Sequence, residues 1–371
     1  MSVNDLGFTT LEESFAKVKE KLLENFSSKY DEERDLFDKY WSEDIELGDL
    51  KPIAAVDGGS RPVSYTQGRV LFLTSAAMIV RGSDLNRYRV YQFGVTDYYE
   101  ANERIRYCRE ILESKMARSF LFKHDEGLLL MDGSLSAPLE RRVYITRYEF
   151  ISPSSLKYAL KSLIDEFVKF QGVRSYTHDL YNREELQDKV LTSLSELVRE
   201  GAVAKVEDVS MAMAFLEKYE ALESFKSLYS DVLSGKVRLI GISKRSSSRR
   251  YFESKIPDIE IVGRLAKSVG YLKPKTYEVR LPDYVGNVSF PITLTYVKLE
   301  SNTPPMKVEV LGSIGESELL EILGTLKRYS VKGYPYHLRL VHEMAKITKD
   351  MVDFVLRSIE TGPTGREWLG E

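Results

Sequence analysis

Apolar residues recur every three to four positions from residue 10 to about residue 45, with no glycine or proline in between, so a helix is predicted there. Charge on both faces suits an exposed extension packed on a partner or second subunit; a solvated helix covering its own core accounts for it as well. The texture then changes. KPIAAVDGGSRP holds a short apolar run that ends in an acid and two glycines. RVLFLTSAAMIVRGS reads as a buried strand and RYRVYQFGVTD alternates, so a three-stranded meander is predicted. Residues 98–123 have helical periodicity, and EGLLLMDGSLSAP is a second fully apolar strand running into Asp-Gly. Helical patterns follow near 154–171, 184–199 and 207–233, then the strand KVRLIGISKR. YEVRLP, ITLTYVKLE and MKVEVLG read as further strands, and ESELLEILGTLKRYS and HLRLVHEMAKITKDMVDFVLRSIE as closing helices. Such interleaving predicts one α/β domain carrying an insertion.

Composition narrows the class. The chain has 371 residues, 43% hydrophobic and 29% charged, and no apolar stretch approaches the ~20 residues of a membrane span. The N-terminus carries neither a basic leader nor an apolar core, and the single cysteine, Cys108, rules out a disulfide framework and a Cys-cluster metal site. A soluble cytoplasmic protein is expected, with no membrane partner. Four Gln and seven Asn against 109 charged residues hint at a thermophilic source. With a net charge of −3, any nucleic-acid binding must come from local basic patches or from metal ions bridging carboxylates and phosphates.

Two apolar strands end alike, AAVDGGS placing Asp57 and LLLMDGS placing Asp132 at the strand end. Ligands in open α/β sheets bind beyond strand ends, and glycines there let a substrate or metal approach the backbone. Asp-Gly is also an ordinary turn signal. Its repetition after two buried runs favours a shared role: neighbouring carboxylates neutralised by Mg²⁺ or Mn²⁺. Between them, Glu110 and Glu113 flank an apolar helical stripe, and the pattern does not choose between them. Lys244 opens KRSSSRR, whose Arg245, Arg249 and Arg250 form a basic turn suited to phosphate, or else a solvated loop. Of four histidines, His342 in the late helix could complete a metal shell; His337 competes, and His124 and His178 have no such context.

The ordered motifs AAVDGGS, REILESKMA, LLLMDGSL, GISK and GYPYHLRLVHEMAKI, spread over about residues 50–350, resemble the NurA nuclease family of archaea and some bacteria. The resemblance implies a ribonuclease-H-like α/β core, a mixed central sheet flanked by helices, at 49–350, with a helical insertion at about 154–233. An N-terminal helical extension (1–48) and a C-terminal helix and tail (351–371) would flank it. It implies Asp57, Glu113, Asp132, Lys244 and His342 as the catalytic set, with Asp57, Glu113, Asp132 and His342 holding two Mn²⁺ ions, or Mg²⁺ in their place. Lys244, Arg245, Arg249, Arg250 and a base-stacking Tyr336 would hold DNA. The implied activity is 5′–3′ exonuclease on single- and double-stranded DNA with single-strand endonuclease, in double-strand-break end resection. The implied assembly is a homodimer docked on a hexameric HerA-type ATPase. Two rivals are a catalytically silent DNA-binding scaffold and an actin-like phosphotransferase. The latter lacks its late adenosine-binding Gly-Gly motif here, and no Walker A sequence makes this chain the motor itself.

Overall fold

The structure, a computed structural model, describes residues 31–49, 51–64, 69–81, 84–97, 101–141 and 206–361, with isolated positions at 14–16, 18 and 192. The helical patterns near 154–171 and 184–199 therefore fall almost wholly outside the described residues, as do residues 362–371 of the expected C-terminal tail.

The three-stranded meander is present as β2 (Ile53–Ser64), β3 (Arg69–Arg81) and β4 (Leu85–Asp97), paired antiparallel. Helix α2 (Ala101–Leu121) follows, then β5 (Glu126–Asp132) and a short α3 (Ser136–Glu140). The long helix α4 (Val206–Ser234) leads into β6 (Lys236–Ser243). Both β5 and β6 run parallel to β2, giving the local order β4-β3-β2-β5-β6 with only β3 reversed. This is the ribonuclease-H-like core.

Beyond β6 the sheet continues antiparallel through β10 (Met306–Leu311) and β9 (Ser289–Lys298). Along the far edge of β9 lie β7 (Gly270–Leu272), which follows α5 (Asp258–Leu265), and β8 (Lys275–Arg280). The last strand, β1 (Trp41–Ser42), pairs with β7. The helix predicted over 10–45 therefore ends earlier than its periodicity suggests. Among the described residues it is α1 (Asp31–Tyr40), after which Trp41 switches to sheet pairing and Phe37 packs under Tyr251 and Phe252.

The continuous apolar runs of β2 and β5 are explained by burial on both faces. Ala54, Val56, Leu129 and Met131 join one core with α2 and α4. Ile53, Ala55, Leu128 and Leu130 join another on the opposite face, with α6 (Glu316–Arg328) and α7 (Tyr336–Ala345). A final helix, α8 (Lys349–Thr361), packs Val352 against Leu73 of β3. No described helix is long and apolar enough to cross a membrane.

Strand alternation carries the second face one step further: after 53 and 55 comes Asp57, and after 128 and 130 comes Asp132. With Val56 opposite Met131 in parallel register, the two acids emerge side by side toward α7. Leu130 is fully buried directly beneath them. Leu130→Ala is expected to cost about 2–5 kcal/mol of stability, read by denaturant unfolding at unchanged m-value.

Candidate metal centre

Asp57 is only 7% exposed. Its Oδ1 accepts the Gly58 backbone N–H at 2.8 Å and its Oδ2 lies 2.7 Å from Nδ1 of His342. With Asp57 ionised, that nitrogen is the donor. The same nitrogen stands 4.0 Å from Oδ2 of Asp132, whose Oδ1 accepts the hydroxyl of Tyr334 at 3.2 Å. One ligand atom each from Asp57, Asp132 and His342 lie within 4.8 Å of one another. Burial raises the pKa of Asp57 and the neighbouring Asp132 charge adds to the rise, against the pull of His342 and the Gly58 amide.

Helix α2 brings Glu113 to the other side of β2, directly over Gly58, where a Cβ would overlap its carboxylate. Arg109, one turn earlier, places Nε 3.3 Å from that carboxylate. Burial pushes the Glu113 pKa up to about 8; Arg109 opposes the rise, and the charges of Asp57, Glu110 and Asp132 reinforce it. Glu110 turns away to Arg141 at 2.8 Å and Arg106 at 3.7 Å. Geometry thus separates the two acids that the helical pattern left open. Glu113 lies over Gly58, near enough to feel the Asp57 and Asp132 charges though outside the group that Asp57, Asp132 and His342 form, whereas Glu110 is engaged by Arg141.

Glycine serves a different purpose here from the one its sequence context suggests. Gly58 admits Glu113, and Gly59 admits the carbonyl of Ala345 at the end of α7, a space that a Cβ would occupy. Ser75 also donates to that carbonyl, at 2.6 Å. Close approach at both positions is made by the protein's own helices, and this docking carries His342 onto Asp57. Gly133, after the second acid, does face open space, and its φ of 123° is one that L side chains rarely adopt.

Lys244, just past β6, holds its ammonium 3.7 Å above the centre of the Tyr334 ring. Arg245 and Arg249 are exposed, whereas Arg250 is paired with Glu140 and lies 4.6 Å over Tyr277. The exposed Tyr336 meets His337 edge-on, with ring centres 6.2 Å apart. His337 is buried against Tyr329, and burial, helped by Arg81, lowers its pKa to about 4. His124 stacks on Phe120, and His178 lies outside the described residues.

Three contributors went unread in the sequence: Arg109, Tyr334 and Glu309. Glu309 is fully buried in β10. It accepts from Lys307 and Tyr277 at 2.6 Å, Ser136 Oγ at 2.8 Å, Ser134 Oγ at 2.6 Å and the Leu135 amide at 2.7 Å. Burial alone would raise its pKa, but Lys307 and these donors hold it down at about 2. The turn following Asp132 is therefore fastened to a buried charge. An acid inside the apolar strand MKVEVLG was the available signal.

Oxygen donors converging with one imidazole fit a hard divalent cation. Residues 51–347 match the family model described as the NurA domain. The chain is 25% identical over 358 residues to the DNA double-strand break repair nuclease NurA of Sulfolobus acidocaldarius, covering 91% of each. It is 24% identical over 308 residues to the probable DNA double-strand break repair nuclease NurA of Methanocaldococcus jannaschii, covering 76% of this chain and 71% of the relative. The crystal structure of the NurA nuclease from Sulfolobus solfataricus superposes with a TM-score of 0.65 at 19% identity, covering 97% of this chain and 98% of that one. A crystal structure of NurA bound to dAMP and manganese gives 0.67 at 17% identity, covering 95% and 98%.

A raised acid pKa means that the folded state binds the proton more tightly than the unfolded chain. Stability must then fall as pH rises from about 4.5 through about 8. In EDTA, Glu113→Gln is expected to raise the melting temperature more at pH 8 than at pH 5, a difference that paired thermal melts read directly.

Proposed function

The chain belongs to the NurA family, and on that premise we propose that it is a divalent-metal-dependent DNA nuclease whose centre is Asp57, Asp132, Glu113 and His342. The observation that carries the reading is the convergence of Asp57, Asp132 and His342 where the parallel pairing of β2 with β5 stops. Asp132 is the last residue of β5, whereas Asp57, expected at a strand end, lies inside β2, which runs on to Ser64 beside β3. Asp57 and Asp132 would hold the metal between them, His342 would close the shell from α7, and Glu113 would complete it from α2. Two manganese ions are our reading of the occupancy, with magnesium as the alternative. Bound there, such ions supply Lewis-acid activation of water and neutralisation of charge on the phosphodiester.

The protein's own groups do the rest. A cation held by Glu113 would have to displace the proton that burial favours there, so metal affinity should climb with pH. Lys244 stands where a strand end meets the acids and offers an ammonium to the phosphate as its charge grows. Arg245 and Arg249, exposed on the same turn, would hold the flanking DNA backbone. Arg250 contributes through its pairing with Glu140, which stiffens that turn against α3. We assign the same reading its wider setting: 5′–3′ degradation of DNA with internal cutting of single strands, in the cytoplasm, by a homodimer that resects broken ends with a hexameric HerA-type ATPase.

Purified protein should degrade 5′-labelled and 3′-labelled DNA with Mn²⁺ and not with EDTA, without nucleotide, releasing the 5′ label first. Asp57→Asn should lower the rate by more than about a hundredfold, beyond the loss typical of a ligand's supporting partner. A protein that binds DNA yet cuts in no metal would be a scaffold, and cutting indifferent to Asp57→Asn would dislodge the centre. In the DNA path, Arg245→Ala with Arg249→Ala should flatten the slope of log affinity against log salt by about 2, one for each phosphate no longer neutralised. An unchanged slope removes the turn from that path.

A further inference from the structure

The basic turn between β6 and α5 has more support beneath it than a solvated loop needs. Asp258, the first residue of α5, is fully buried, and its carboxylate accepts the backbone N–H of Tyr251 at 3.0 Å and of Phe252 at 3.2 Å. Tyr296 of β9 adds its hydroxyl at 3.0 Å, and the Asp258 amide donates to the Ser248 carbonyl at 2.8 Å. Lys275 of β8 donates to the carbonyls of Arg250 at 3.0 Å and Tyr251 at 3.4 Å, and holds the Glu253 carboxylate at 2.7 Å. Glu253 closes the turn with its amide on the Arg249 carbonyl at 2.9 Å. Its φ of 57° is one that a residue with a side chain keeps only where its surroundings enforce it.

Resting on the reading of this turn as part of the DNA path, we propose that Asp258 is the positioning residue of the turn, its buried carboxylate holding 248–253 preformed so that Arg245 and Arg249 meet phosphates already in place. The backbone of the turn is bonded to the elements behind it, while the guanidinium groups of Arg245 and Arg249 have no partner among the described residues. Such a turn keeps its cations for an anion outside the fold. Long side chains on a loose loop lose freedom when they bind, and that loss subtracts from affinity; a loop ordered beforehand avoids it. Asp258 therefore acts on the strength of binding and not on the number of phosphates held. Those two quantities are separable, because the phosphates neutralised set the slope of log affinity against log salt, whereas preorganisation shifts the line without tilting it.

Affinity for fluorescent single-stranded DNA is measured by anisotropy in EDTA across a salt series, beside thermal melts and amide hydrogen exchange. Asp258→Asn keeps one accepting oxygen and turns an amide N–H₂ toward a backbone donor. It should bind DNA about tenfold more weakly at every salt concentration, with the slope unchanged and faster exchange at Tyr251 and Phe252. Cleavage at saturating DNA and Mn²⁺ should stay within about twofold of wild type. Tyr296→Phe removes the third donor to the same carboxylate and leaves the turn amides bonded, so it should lower the melting temperature and keep wild-type DNA affinity. Lys275→Met frees the two carbonyls from the outer side and should repeat the parallel shift, whether or not Asp258→Asn folds. Wild-type affinity in both Asp258→Asn and Lys275→Met, or equal losses of affinity in Asp258→Asn and Tyr296→Phe, overturns the assignment and leaves the nuclease reading standing. A salt slope indifferent to Arg245→Ala with Arg249→Ala takes the turn out of the DNA path and this inference with it.

Discussion

Parallel pairing of β2 with β5 imposes the constraint to which the rest of the molecule responds. The paired runs Ile53–Val56 and Leu128–Met131 are apolar and buried on both faces, and the register brings Asp57 and Asp132 out together. Two like charges at such a spacing cost about 3–4 kcal/mol at an effective dielectric of about 20. The neighbouring side chains are arranged around that repulsion. One imidazole and one phenol reach the pair, and Glu113 adds a third carboxylate where a lone pair of acids would already be strained. A site that collects negative charge at the expense of stability is built around something positive.

Support for this arrangement is distributed by element. The sheet supplies the two aspartates and fixes their level. Helix α2 supplies Glu113 from one face, made possible by the bare backbone of Gly58, and α7 supplies His342 from the other, seated through Gly59 and Ser75 on the Ala345 carbonyl. The turn after Asp132 takes its shape from Glu309, a charge buried far from solvent and satisfied on both oxygens. Buried charges are tolerated when donors surround them, and this one has a lysine and five further donors, the Ser136 amide among them.

Much of the core was legible in the chain because burial on both faces leaves a plain mark: IAAV and LLLM are short, uninterrupted and terminated by acids. The alternation of RYRVYQFGVTD gave β4 for the opposite reason, its half-exposed position at the sheet edge. What stayed hidden depended on distances between segments. Glu110 and Glu113 share one helical stripe, so only the packing of α2 against Gly58 tells them apart. Tyr334 was lost among 23 tyrosines, and the neighbouring Tyr336, two positions on, carried the expectation of a role. Arg250 sits in a run of basic residues, and nothing local announces its partner Glu140, 110 positions earlier. The helix ending at Tyr40 stopped short of its periodicity because Trp41 and Ser42 found a strand edge more than two hundred residues away.

Asp57 and His342 meet across a sequence separation of 285 positions. A chain emerging from a ribosome therefore exposes its acids long before the imidazole that joins them exists, and α7 can dock on β2 only once that whole span has been made. The cluster of Asp57, Asp132 and His342 thus remains unassembled through most of the chain's own synthesis. Its third member is written into a late element of the fold.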